Sequence, residues 1–272
     1  MKIDSMLGAH ADITPVDLPM ISEAKLYWLM IREQHGLKNV VPLLTLEGNA
    51  KLAKNPVPTY ALTLSPAVTA GHNVCERSTP ECRKACVMWT AGRGTFPNVR
   101  TARQARTKFL ADYPLHFLRL LLWDLERAER QAGRSRHDFG VRLNVASDIR
   151  WERFPFLFDH VGMTAYDYTK WADYERPIDI QRVNNYRLTY SHNERWPDLR
   201  VSSYLDAGLN VAMVFDVPKH QLPNEWNGWP VIDGDIHDYR YADPIGVIVG
   251  LAAKGAAKQL DAGGFVQHVQ IH

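Results

Sequence analysis

The chain has 272 residues, 46% hydrophobic and 23% charged, with a formal net charge of +2. That length suits one large domain, or one domain with a short extension, and a charge so near neutrality does not by itself argue for nucleic acid. No run approaches the roughly 18–20 apolar residues that a membrane-crossing helix needs, and Met1–Asp17 lacks the basic-then-apolar pattern of a signal peptide. Three cysteines, an odd number, make a poor disulfide framework, so a reducing, cytoplasmic compartment is expected and no membrane association.

Residues 1–55 read as an N-terminal helical extension and 56–272 as the catalytic domain. Ser22 can cap a helix over Glu23–His35 that Gly36 ends, with Leu26, Leu29 and Met30 at helical spacing. Val40–Leu46 followed by Glu47-Gly48-Asn49 reads as a strand and turn. From Tyr60 onward, β-type runs recur and end in polar residues: Tyr60–Ser65, Val141–Asp148, Met163–Lys170, Tyr186–Ser191, Asn210–Asp216, Pro230–Asp235 and Val247–Lys254. Helical stretches fall at Val99–Ala111 and Pro114–Ala132, the second with Gly133 beyond its end. Strands alternating with helices imply parallel pairing. The expected fold class is α/β, a parallel (β/α) barrel-like sheet of about 6–8 strands, TIM-type or partial, because no glycine-rich phosphate loop of an open nucleotide-binding sheet follows any strand.

All three cysteines lie within one short segment, Cys75, Cys82 and Cys86, spaced C-x6-C-x3-C among charges, proline and serine. Core cysteines sit in apolar runs; thiolates gathered in a polar cytoplasmic loop usually hold a soft metal. Two readings stay open. Three thiolates can hold a [4Fe–4S] cluster with one iron free, whereas electron-transfer clusters normally take four. Alternatively His72 joins them as the fourth ligand of a closed Zn2+ site. Three cysteines after the first barrel strand is also the placement seen in radical S-adenosylmethionine enzymes, although their usual spacing is C-x3-C-x2-C. An S-adenosylmethionine cofactor therefore accompanies the cluster reading.

Ligands of parallel α/β proteins meet the carboxyl ends of the strands, and here those ends are polar. They carry Ser147, Asp148 and Arg150; Asp167, Thr169 and Lys170; Thr189, Ser191 and His192; Asp216; Asp233, Asp235, Asp238 and Arg240; and Lys254. Solvation or turn formation explains any one of them. Together they form a candidate substrate rim, with Asp148, Asp167, Lys170, Asp233, Asp235 and Lys254 as candidate catalytic groups. Ser147, Arg150, Thr169 and Ser191 are candidate substrate-binding groups. A basic run after the cysteines includes Arg100, Arg103 and Arg106, one side of a helix. It is either a solvated face or a phosphate-facing surface to which Arg100 and Arg103 contribute.

These motifs, namely the three clustered cysteines, Ala146-Ser147-Asp148-Ile149-Arg150-Trp151, Asp167-Tyr168-Thr169-Lys170, Ile232-Asp233-Gly234-Asp235 and Gly250-Leu251-Ala252-Ala253-Lys254-Gly255, resemble an uncharacterised actinobacteriophage protein family related to the gene product 88 family. The resemblance spans about residues 58–267. It supplies no reaction; it implies a bacteriophage protein of the host cytoplasm, where nucleotide or DNA modification is a natural role. The first functional expectation is an iron–sulfur enzyme, a transferase in the broad sense, modifying a nucleotide or nucleic-acid base. A zinc-containing barrel acting on a glycosidic bond, as in base exchange, is the alternative. A non-catalytic nucleic-acid-binding protein comes third, a role that has little need of a polar rim.

Overall fold

The computed structural model describes residues 1–38, 42–47, 51–176, 183–260 and 264–269. The sheet begins with β1 (Leu44–Leu46), β2 (Thr59–Leu62), β3 (Phe139–Arg142), β4 (Met163–Thr169), β5 (Tyr186–Ser191) and β6 (Asn210–Phe215). It continues through β7 (Glu225–Trp226), β8 (Trp229–Asp233), β9 (Ile248–Ala252) and β10 (Val266–Gln267). The order across it is β1-β2-β3-β4-β5-β6-β9-β8-β7. β10 pairs in parallel with Val214 and Phe215 of β6, past the point where β5 stops pairing with that strand. Neighbours from β2 to β8 are parallel, while the edge strands β1 and β7 run antiparallel.

This is a mixed α/β protein with a ten-stranded, mostly parallel sheet. The expected 6–8 strands grow to ten because short edge and inserted pairs carry little sequence signal. The ladder does not close into a ring of hydrogen bonds among the described residues. The turn Glu47-Gly48-Asn49 and the start of the Val40–Leu46 run lie partly outside the described residues.

Seven helices are described: α1 (Ile3–Gly8), α2 (Ile21–Gln34), α3 (Pro80–Lys84), α4 (Val87–Thr90), α5 (Pro97–Asp112), α6 (Pro114–Ser135) and α7 (Asp198–Asp206). α6 starts with proline at its first position and ends on Arg136 in the left-handed region. Phe117, Leu118, Leu121, Leu125, Ala128 and Ala132 form its buried stripe, at the three- and four-residue steps that keep side chains on one face. Each fully buried leucine there contributes about 1.5–3 kcal/mol. That stripe packs with α2 and α5 over Phe139, Val141, Met163, Ala165 and Tyr186 of β3–β5. α7 covers β6 through Val201, Tyr204 and Leu205, joined by Val211, Met213, Phe215 and Ile248.

The N-terminal segment is part of the first of these cores. Ile3, Leu7, Leu18, Ala24, Trp28 and Ile31 are buried in it. The Asp4 carboxylate, itself buried, accepts the Arg150 backbone amide at 2.8 Å, the Arg150 guanidinium at 2.8 Å and Arg153 at 3.2 Å.

Alternate residues of β4 point to opposite faces. Met163 and Ala165 meet the helices, while Thr164 and Tyr166 meet Tyr239, by a 2.7 Å hydroxyl contact and a ring contact at 5.5 Å. The turn Arg240–Ala242 packs against β4 and β5. The segment carrying it reaches back to the residues before β2: Asp235 pairs with Lys51 at 3.2 Å, and the Asp238 amide donates to Asn55 Oδ1 at 3.0 Å. Side chains, not strand pairing, thus join the region before β2 to the region after β8.

The second expected strand, Val141–Asp148, ends early, at Arg142. Asn144 is the reason. Its Oδ1 accepts from Ser147 Oγ, the Ile149 amide and Trp151 Nε1, and its Nδ2 donates to the Ile149 carbonyl. A polar side chain that satisfies its own neighbours' backbone draws the chain out of the ladder.

Candidate functional site

The segment between β2 and α5 carries the cysteines over the carboxyl ends of the parallel strands. Thr79 caps α3, its Oγ1 accepting the Cys82 amide at 3.3 Å. The same hydroxyl donates to Glu194 Oε2 at 2.6 Å, and Glu194 Oε1 also accepts the Glu81 amide at 3.3 Å. Glu81 Oε2 accepts the Phe265 amide at 2.8 Å. Beneath α3, Ala85 is buried with Ala253, Ala257 and Val266. The loop is therefore fixed to the end of β5 through Glu194 and to β9 and β10 through this small cluster.

Beyond Cys86, the arginines of α5 hold the chain by its carbonyls. Arg103 donates to Met88 O at 2.7 Å, and Arg100 to Gly94 O at 3.0 Å and Trp89 O at 3.1 Å while lying 4.1 Å over the Trp89 ring. Arg106, fully buried, donates to Pro42 O at 3.1 Å. The basic side of α5 thus faces protein, which departs from the expected phosphate-facing surface: these arginines occupy their donors on backbone oxygens. Gly94 makes the approach possible, since a Cβ there would lie 2.1 Å from Met88 O and 3.2 Å from Arg103 Nη1.

The three thiols and two strand-end groups come together electrostatically. Burial pushes the Cys75 thiol far above its ordinary pKa, with Asp148, Cys82 and Cys86 adding to the effect. The Cys75 thiol donates to the Ala146 carbonyl at 3.5 Å. Burial also raises Cys86, against the opposing pull of Lys170 and Arg103. Burial works against the Lys170 ammonium, but Cys82, Asp148 and Cys75 around it hold its pKa above the ordinary value. Asp148 is raised by burial and opposed by Arg176. Its carboxylate accepts Thr169 Oγ1 and the Lys170 amide, both at 2.8 Å.

Lys170 also lines an open cavity of about 180 Å³. Around it stand Arg77, Arg195, Arg200, Thr79, Asn193 and Glu175, with Trp196 and Tyr174 as aromatic walls. Arg77 is paired with Glu175 and lies 4.5 Å over the Trp171 ring. Lys170 thus links this cavity to Asp148, Thr169 and the cysteines, which do not themselves line it.

The other candidates lie elsewhere. Ser147 bonds Asn144, and Arg150 spends its guanidinium on Asp4 and the Glu175 carbonyl. Asp167 is wholly buried and accepts the Asn144 amide and the Tyr186 hydroxyl; burial pushes its pKa up to about 7 despite Arg142. Ser191 pairs in register with Ala212 of β6. Asp233, Asp235 and Lys254 belong to a second polar group with Lys51, Asp238 and Arg142. There Asp235 takes Lys254 at 2.6 Å, and Arg142 is bonded to Asp238. Burial opposes the Asp235 carboxylate, yet Lys254, Lys51 and the Ala252 amide hold its pKa below the ordinary value.

His72 is half-buried, and its Nδ1 is buried without a hydrogen-bond partner among the described residues. Among the described residues, no set of three or more His, Cys, Asp and Glu side chains is placed to hold a metal ion. The expected four-ligand set is therefore not assembled as a coordination site: Cys82 is near enough to add to the upward shifts of Cys75 and Cys86, but the side chains are not placed around one ion.

The basic character of the cysteine loop, Arg77 included, was readable in the sequence, but sequence reasoning missed Arg195, Arg200, Asn193 and Glu175. The run Asn193-Glu194-Arg195-Trp196-Pro197 straight after β5 was the available signal, since strand carboxyl ends were already the place to look.

A mostly parallel α/β sheet whose strand ends meet a cysteine-bearing loop beside a cationic cavity defines the class: an α/β protein with a polar strand-end site. The chain belongs to the gene product 88 family, a phage gene-product family whose sequence model matches residues 42–268. No curated protein and no solved structure matches the chain significantly. No described helix is long and apolar enough to cross a membrane.

Proposed function

We propose that this protein is a metal-dependent enzyme that modifies a nucleotide or nucleic-acid base, with Cys75, Cys82 and Cys86 taking up an iron–sulfur cluster. One observation carries the reading: Lys170 is an electrostatic neighbour of all three thiols and of Asp148, and it opens onto a cavity dominated by cations. Three thiols in one polar loop are not needed for packing. Burial disfavours thiolate at Cys75 and Cys86, and a soft cation would supply the charge that reverses this, releasing the thiol protons as it binds. Loading requires the three side chains to turn toward one point. A cluster held by Cys75, Cys82 and Cys86 would supply redox or Lewis-acid chemistry. The chain's own groups have separate work: Lys170 keeps a proton at the site, Asp148 fixes the Thr169–Lys170 backbone, and the cavity arginines hold an anionic substrate. The spacing C-x6-C-x3-C differs from the radical S-adenosylmethionine pattern, and the proposal does not require that cofactor.

Anaerobic purification followed by iron and sulfide reconstitution tests it. Iron and sulfide should bind with visible absorbance, and Cys75→Ser, Cys82→Ser and Cys86→Ser should each abolish the colour while circular dichroism stays unchanged. A colourless protein, with or without bound zinc, overturns the cluster reading. The unpartnered Nδ1 of His72 favours a second reading, a closed zinc site of His72 and the three thiolates. That reading predicts stoichiometric zinc that His72→Ala releases.

A further inference from the structure

The geometry points to a phosphomonoester subsite in the cavity between the cysteine loop and α7, built to take the terminal phosphate of a nucleotide. The inference deepens the proposed function by naming what the cavity beside Lys170 binds. Four cationic side chains line it, Arg77, Lys170, Arg195 and Arg200, against one carboxylate, Glu175. Glu175 is already engaged, by Arg77 and by the Ala172 amide at 2.9 Å. Among the described residues, neither Arg195 nor Arg200 has a carboxylate partner. Arg200 only lies 5.5 Å over the Trp196 ring. Charges of one sign facing a common opening repel one another and raise the local concentration of anions.

Neutral donors complete the picture. Asn193, buried at the cavity wall, uses Oδ1 to accept the Arg195 amide, and its Nδ2 has no partner among the described residues. α7, nine residues long, starts at Asp198 and brings Arg200 of its first turn to the cavity wall. A guanidinium fork matches the oxygens of a carboxylate or a phosphate but not a halide, and several cations around one opening favour the doubly charged phosphate.

The walls are unequal. Trp196 is 8% exposed and packs on Tyr204 with ring centroids 5.0 Å apart, so it belongs to the core. Tyr174, at the mouth, is 68% exposed. A large aromatic left in solvent beside an anion-binding wall is suited to stack a base whose phosphate lies deeper in. The shared chemistry is a terminal phosphate dianion, whether on a free nucleotide or on the 5′ end of an oligonucleotide.

Isothermal titration calorimetry on the full chain, before and after chelation, tests the subsite. The probes are inorganic phosphate, adenosine 5′-monophosphate, adenosine, and one oligonucleotide with and without a 5′-phosphate. Adenosine monophosphate should bind at least about tenfold more tightly than adenosine, and the difference should shrink as salt rises. The combined Arg195→Gln and Arg200→Gln variant, with unfolding unchanged, should weaken it by about tenfold or more. Tyr174→Ala should weaken the nucleotide but leave inorganic phosphate alone. A 5′-phosphate preference only in the oligonucleotide assigns the source to nucleic acid, and a preference in both assigns the phosphate itself. No phosphate preference in either the nucleotide or the oligonucleotide pair, wild-type affinity in the double variant, or no binding overturns the subsite. Because chelated protein is included, that failure is separate from failure to bind iron.

Discussion

Asp167 offers a test of the buried electrostatics that is independent of any ligand. Its carboxyl sits on β4 with no exposure to solvent, and burial lifts its pKa from 3.8 to about 7 against the pull of Arg142, the Asn144 amide and the Tyr186 hydroxyl. A rise of that size corresponds to roughly 4 kcal/mol of preference for the neutral form in the folded state. The sign follows from proton binding. Between pH 3.8 and 7 the folded chain holds a proton that the unfolded chain has released, so raising the pH favours unfolding across that window. From pH 5 to 8 this single group should remove about 3 kcal/mol of stability. Asp167→Asn abolishes the titration and keeps one oxygen for the Asn144 amide, while its new amide group can donate to the Tyr186 hydroxyl that Asp167 now accepts from. Urea unfolding at pH 5, 6, 7 and 8 should therefore show the wild-type protein losing stability relative to the variant as pH rises. Parallel curves for the two proteins would refute the reasoning, and so would a wild-type gain.

Two further outcomes follow from the same geometry. Asp4→Ala should cost about 3–5 kcal/mol in urea unfolding, because it leaves the Arg150 amide and two guanidinium groups without their buried carboxylate. A loss below 1 kcal/mol would mean that α1 is not integral to the core. Gly94→Ala should destabilise by about 1–3 kcal/mol and speed alkylation of Cys86, because the new methyl meets Met88 O and the Arg103 contact must open. Unchanged alkylation would show that Arg103 does not hold this part of the loop.

Much of the sheet is legible in the sequence because its strands are apolar runs that end in polar residues. The expected Tyr186–Ser191 strand coincides with β5, and Met163–Lys170, Asn210–Asp216 and Val247–Lys254 miss by a residue or two. The overrun of β3 came from Asn144, whose side-chain hydrogen bonds compete with the ladder in a way that apolar patterning does not register. α7 escaped notice because nine residues with only Val201, Tyr204 and Leu205 buried leave too short a periodic signal. Parallel pairing was read from alternating helices, yet β3 to β4 crosses through 3-10 turns at Trp151–Arg153 and Pro155–Leu157.

In the site, the approach of Lys170 and Asp148 to the cysteines follows from topology alone, since parallel strands deliver their carboxyl ends to one edge. The fate of the α5 arginines does not. Whether a basic helix side faces solvent or backbone carbonyls depends on how the loop before it folds back, and local spacing holds no record of that.

The hydrogen bond from the Phe265 amide to Glu81 joins residues 184 positions apart. At about 5–20 residues per second of synthesis, the ribosome takes roughly 10–40 s to travel between them. Until Phe265 and Val266 emerge, α3 lacks the hydrogen bond and the apolar floor that hold it at the strand ends. For that interval three cysteines are presented on an unfinished surface, open to oxidants and to whatever metal the cell then offers. Alkylation of the cysteines should therefore be faster in a chain that stops before Phe265 than in the full one.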